Sequence, residues 1–189
     1  MQGMTEKPQA AAPLSRRRVL AAAAGAIGSA LLPTTAWAAY VVRPWPADRP
    51  VPTLELDDLD GKPWRLAAQA GKVVVLNFWA TWCEPCRVEM PSLEAMATRL
   101  RPAGLVMCAI NYKESPDVIR RYLERAPFKS QILLDADGDA TVTWTPRVFP
   151  STVLIGRNGQ PSATVLGDLD WGGSVAKELL DPLLAARKP

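Results

Sequence analysis

Two thiols two residues apart, Cys83 and Cys86 in Trp82-Cys83-Glu84-Pro85-Cys86, are the groups in this 189-residue chain best suited to chemistry. They follow an apolar run, Val73 to Trp79, that reads as a buried strand, and they precede a segment that reads as a helix. A cysteine at such a junction lies near a helix N-terminus. There the dipole and the free backbone N–H groups favour the thiolate, the form of sulfur that attacks disulfides. Pro85 fits a first helical turn, where its missing N–H costs nothing. Structural zinc needs four Cys or His ligands, and the chain has no histidine and only one further cysteine, Cys108. A c-type haem site would need His at the position of Arg87. A purely structural bridge would close too small a loop to stabilise much. The pair therefore reads as redox-active and free of metal or other cofactor. An exposed Cys83 attacks, and Cys86, one turn further and more buried, resolves.

The surrounding elements are legible from period and punctuation. Val73 to Trp79 is uninterruptedly apolar, as in a central strand covered on both faces. Residues 84 to 101 carry an apolar stripe of Met90, Leu93, Ala97 and Leu100, with Pro91 expected to kink the helix and Pro102 and Gly104 to end it. Leu105 to Ile110 is a second buried strand and places Cys108 in the core as a small hydrophobe. Ser115-Pro116 opens a helix through Arg125, and Gln131 to Leu134 is a short strand edge. Ala140 to Trp144 reads as a brief helix. Asp135, Asp137 and Asp139 alternate like calcium ligands, but Pro146 stands where the twelfth-position Glu belongs, so a solvated turn is the reading. Two hairpins are expected. One lies within Thr53 to Leu66 and turns at Asp60-Gly61; the other joins Thr152–Ile155 to Ala163–Leu166. A terminal helix covers Ser174 to Ala186.

The N-terminal region reads as an address. Arg16-Arg17-Arg18, the apolar stretch Ala21 to Leu32 and the small-residue site Ala36-Trp37-Ala38 form an export signal over residues 1–38, too short in its apolar part to span a membrane. The arginines resemble a twin-arginine signal, with an arginine-rich Sec signal as the alternative. Residues 39–52, with their prolines, read as a linker, and 53–189 as one domain. The chain carries 22 basic and 19 acidic residues; removing residues 1–38, with Lys7, Arg16, Arg17, Arg18 and Glu6, leaves 18 of each. No basic field remains to attract nucleic acid or anionic lipid.

Gly71-Lys72-Val73-Val74-Val75-Leu76-Asn77-Phe78-Trp79-Ala80-Thr81-Trp82-Cys83-Glu84-Pro85-Cys86-Arg87-Val88-Glu89-Met90-Pro91 resembles the TlpA/ResA branch of exported thioredoxin-like proteins. Phe149-Pro150-Ser151-Thr152 is similar to its cis-proline loop, and the resemblance extends over about residues 53 to 184. It implies an α/β thioredoxin-like fold: a central mixed sheet flanked by helices, with an added N-terminal β-hairpin. It also implies a periplasmic thiol-disulfide oxidoreductase, monomeric, released from its signal, with at most transient membrane association. Such a protein would reduce disulfides in exported proteins, such as the C-x-x-C-H segment of apocytochrome c. A membrane thiol-disulfide transporter would supply its electrons.

By the same resemblance Glu89, one turn beyond Cys86, serves the thiols as an acid–base group. Trp82, Glu84, Pro85, Phe149 and Pro150 would face substrate. Glu84 should oppose the Cys83 thiolate and so favour a reductant. Two residues depart from pattern: Asn77 stands where cytoplasmic thioredoxins carry a buried Asp, and Phe149 is larger than usual before the proline. The alternatives are a thiol peroxidase of the AhpC/TSA-like group, which would want Thr-x-x-Cys where Thr81 is two residues from Cys83, and a copper-handling module, which would want C-x-x-x-C plus His.

Overall fold

A computed structural model describes residues 40–186, and the signal expected over residues 1–38 lies outside them. The centre is β4 (Val73–Trp79), every residue of it buried. It pairs in parallel with β5 (Leu105–Tyr112), which pairs in parallel with β6 (Gln131–Asp135). On its other side it pairs antiparallel with β7 (Ser151–Ile155), then β8 (Pro161–Gly167) and β1 (Tyr40–Pro44) follow, giving the order β1-β8-β7-β4-β5-β6. β2 (Glu55–Asp57) and β3 (Pro63–Arg65) form a separate hairpin. The expected mixed sheet and added hairpin are present.

Alternation along β4 divides the core. Val73, Val75 and Trp79 enter a cluster with Met90, Leu93, Met96 and Ala97 of α1 (Glu84–Leu100), Ile119 of α2 (Pro116–Leu123) and Ala176 and Leu180 of α4 (Ser174–Ala185). Val74, Leu76 and Phe78 enter a second cluster with Leu54, Cys108 and Trp144 of α3 (Asp139–Trp144), flanked by Trp45, Val51, Leu56 and Trp64. Asn77, on the odd-numbered face, is thereby aimed at the α1 side.

Two expectations are revised. The segment read as a linker begins as a strand, β1, whose Tyr40 to Pro44 pair with Gly167 to Ala163. Proline is tolerated there because the strand lies at the sheet edge. The residues that follow are packed: the Trp45 ring lies 5.6 Å from that of Trp144, and Arg49 stacks 4.2 Å above Trp45. α1 runs from Glu84 to Leu100 with Pro91 inside it, and a short 3-10 turn over Arg101–Ala103 follows, closed by Gly104 in the left-handed conformation (φ 88°). The aspartates around 135–139 are not simply solvated. Asp135 is fully buried and accepts from the backbone N–H groups of Ala140 and Thr141 (3.1 and 2.8 Å) and from the Thr141 hydroxyl (2.6 Å), capping α3.

Cys108 is a free thiol with no exposure, and burial pushes its pKa up. Native protein treated with a thiol alkylator at neutral pH should leave Cys108 unlabelled until denaturant is added, as read by peptide mass. Rapid native labelling at Cys108 would contradict its place in β5.

Candidate active site

The chain leaves the C-terminal end of β4 through Ala80, Thr81 and Trp82 and enters α1 with Cys83 as its N-cap. Glu114 holds this short connection: its carboxylate accepts from the Thr81 backbone N–H (2.7 Å), the Thr81 hydroxyl and the Asn111 amide (2.8 Å). The Cys83 sulfur accepts the Cys86 backbone N–H at 3.3 Å, the contact that an N-cap side chain makes with the first turn. A negative sulfur at this position gains from the donor and from the helix dipole. Cys83 and Cys86 are joined as a disulfide (S–S 2.08 Å).

Both sulfurs belong to the buried cluster beneath α1. Cys83 is 5% exposed and Cys86 1%, so Cys83 is more covered than the exposed nucleophile expected from sequence. It shares the core cluster with Trp79, Met90 and Trp171, and Phe149 packs against that cluster. Trp82, 62% exposed, meets Phe149 edge-on at 5.7 Å, and Phe149 leans on Tyr112 at 5.2 Å. The Phe149–Pro150 bond is cis. The Pro150 carbonyl accepts from Gly167 N–H (2.9 Å), whereas the backbone groups of Phe149 find no partner among the described residues. Pro85 is exposed at the second position of α1. Glu84 is exposed and pairs with Arg87 at 3.3 Å, which offsets the repulsion its charge would exert on a Cys83 thiolate.

Glu89 is no surface carboxylate. It is 3% exposed, on the turn of α1 after Cys86. Burial pushes its pKa up to about 7, against the pull of three donors. Oε1 accepts from the Trp171 indole N–H (2.6 Å) and the Leu169 backbone N–H (3.2 Å), and Oε2 accepts from the Asn77 amide (3.2 Å). Asn77 also donates to the Thr152 hydroxyl at 2.9 Å, tying β4 to β7. Asn77 therefore orients the carboxylate, a task invisible when it is read only as a missing Asp. Nothing local in the sequence marked Trp171 or Leu169, which lie in the loop between β8 and α4. For Asn77 a signal existed: strand alternation puts it on the face that α1 covers.

Residues 47–160 match the AhpC/TSA family. The thiol-disulfide oxidoreductase ResA of Geobacillus kaustophilus is 30% identical over 138 residues, 73% of this chain and 76% of that protein. A secreted thiol-disulfide isomerase of Corynebacterium glutamicum superposes with a TM-score of 0.65 at 25% identity, covering 78% of this chain and 93% of its own. A thioredoxin-family thiol:disulfide interchange protein of Chlorobium tepidum gives a TM-score of 0.64 at 21% identity, over 76% and 98% of the two chains, and shows the fold alone.

The raised pKa of Glu89 makes stability depend on pH. Between the ordinary carboxylate value of 4.5 and about 7, the folded chain holds a proton that the unfolded chain has lost, so stability falls as pH rises through this window. The loss, roughly 3 kcal/mol at most, should appear as a declining urea midpoint of the oxidised protein. In Glu89→Gln the decline should largely vanish. An equally steep decline in that variant would assign it to other groups.

Proposed function

The chain belongs to the AhpC/TSA family and is a thiol-disulfide oxidoreductase of the ResA type, and on that premise we propose that it reduces disulfides in exported proteins through Cys83 and Cys86. The observation that carries the reading is a buried carboxylate, ionising near neutrality, one helical turn from the resolving cysteine.

In the proposed cycle the Cys83 thiolate attacks one sulfur of a substrate disulfide. The other substrate sulfur leaves as thiolate, and a mixed disulfide forms at Cys83. Ionised Glu89 takes the proton of the Cys86 thiol, a transfer matched to its pKa of about 7. The Cys86 thiolate attacks Cys83, the mixed disulfide breaks, and the second substrate sulfur is released. Two electrons have passed to substrate and the 83–86 disulfide remains. A membrane dithiol protein would restore the reduced pair by the reverse exchange. An extended substrate segment would lie against Phe149, whose backbone groups have no partner among the described residues, and against the exposed Trp82.

Glu89 also bears on direction. An anionic Glu89 beside the pair disfavours a thiolate there, so the reduced form gains little extra stability and the pair donates electrons. Export through the expected signal would place this activity in the periplasm, where the unfolded C-x-x-C-H segment of apocytochrome c is a fitting substrate. The peroxidase alternative wants a threonine hydroxyl directed at the attacking cysteine, whereas Thr81 gives its hydroxyl to Glu114.

Two measurements test the reading. Glu89→Gln should slow reduction of a peptide disulfide by roughly tenfold or more at neutral pH and flatten the rise in rate that wild type shows near pH 7. Identical profiles across that range would remove Glu89 from the cycle. A redox titration against dithiothreitol, followed by Trp fluorescence, should give a potential nearer about −270 mV, as in thioredoxin, than about −120 mV, as in DsbA. A value above about −180 mV would make the protein an oxidant or isomerase.

A further inference from the structure

Beside the thiol pair, between the start of α1 and α2, lies a cleft lined by Thr81, Arg87, Val118, Arg121, Tyr122 and Arg125. We propose that it is a docking site for an acidic segment of the disulfide substrate, a preference that rests on the reductase reading.

Three arginines, Arg87, Arg121 and Arg125, line one concavity in a chain whose residues beyond 38 carry equal numbers of acidic and basic side chains, so the positive charge is local. Arg87 shares its charge with Glu84. Arg121 and Arg125 have no carboxylate within ion-pair distance among the described residues. Their neighbour Arg120, on another face of α2, reaches Asp60, Asp117 and the Leu59 carbonyl. Arg121, in the last turn of α2, and Arg125, in the turn just after it, both line the cleft, so two like charges share one concavity. The chain turns tightly here, with the Arg125 and Ala126 backbone N–H groups both bonding to the Tyr122 carbonyl at 3.0 Å. Glu114 accepts from Thr81 and Asn111 and forms no ion pair with either arginine among the described residues.

The floor of the cleft is fixed. The Tyr122 ring lies 5.4 Å from that of Trp79, and its hydroxyl meets the Met90 sulfur at 3.7 Å. A concave basic site with apolar walls focuses its field on an approaching anion and speeds encounter. Its position chooses the occupant. Thr81 lines the cleft and stands two residues before Cys83, so residues close to an attacked substrate cysteine come within its reach. Trp82 and Phe149 offer an apolar rim, so the segment that fits is one whose cysteine is flanked by acidic residues.

The test is single-turnover reduction of three disulfide-closed peptides by the reduced protein, with the cysteines flanked by Glu, by Gln or by Lys. In each reaction the peptide disulfide gains two electrons and two protons to give two thiols, while the Cys83 and Cys86 thiols lose them and close their disulfide. At low salt the Glu peptide should react about tenfold faster than the Gln peptide, a ratio that collapses toward one in about 0.5 M salt. Arg121→Gln/Arg125→Gln should bring the ratio near one, and Arg121→Glu/Arg125→Glu should turn the preference to the Lys peptide, with far-UV spectra confirming folded variants. Equal rates for the Glu and Gln peptides in wild type, or a preference that survives both double substitutions, would overturn the docking site. Failure to reduce any of the three peptides would instead overturn the reductase reading itself.

Discussion

A strand buried from end to end must be covered on both faces, and β4 imposes that requirement on the whole molecule. Its odd-numbered side chains call for α1, α2 and α4, and its even-numbered ones for the N-terminal hairpin, Trp45 and α3. Seven consecutive buried residues leave no room for an exposed face, so neither cover is optional. The thiol pair inherits its position from this arrangement. α1 must begin where β4 ends in order to lie along the odd face, and Cys83 stands at that corner.

Burial then sets the chemistry. A carboxylate on the inner face of α1 is expensive in an apolar core unless donors meet it, and Glu89 draws one from β4 and two from the loop after β8. The donors reduce the cost without abolishing it, and the remainder appears as a pKa near neutrality. The environment that makes Glu89 an uneasy guest in the core is what suits it to exchange protons with a thiol. The same burial covers both sulfurs, leaving Cys83 5% and Cys86 1% exposed.

The surface near the thiol pair is uneven in kind. One side is aromatic, with Trp82, Phe149 and Tyr112 in a chain of ring contacts. The other holds Arg87 of α1, Arg121 of α2 and Arg125 just beyond it, beside Tyr122. Glu114 links the two by anchoring the Thr81 connection to the end of β5, which keeps the thiol pair in place between them.

Wherever the information was local, the sequence alone determined the outcome. The apolar run of β4, the three- and four-residue stripe of α1, the turn at Asp60-Gly61 and the C-x-x-C spacing each fix conformation within a few residues, and resemblance supplied Glu89 and the cis bond before Pro150. Tertiary structure decided what depends on partners far along the chain. Trp171 meets Glu89 across 82 residues and Asn77 meets Thr152 across 75, contacts set by strand register and loop path that no local pattern encodes. The prolines of residues 39–52 suggested a free linker because proline weakens regular hydrogen bonding, yet β1 pairs with β8 and Trp45 packs on Trp144. Asp135 looked solvated until α3 folded back onto it. The burial of Cys83 was decided in the same way. Spacing placed the sulfur at a helix end, and only the core cluster assembled from α1, β4, β5 and the residues after β8 left it 5% exposed.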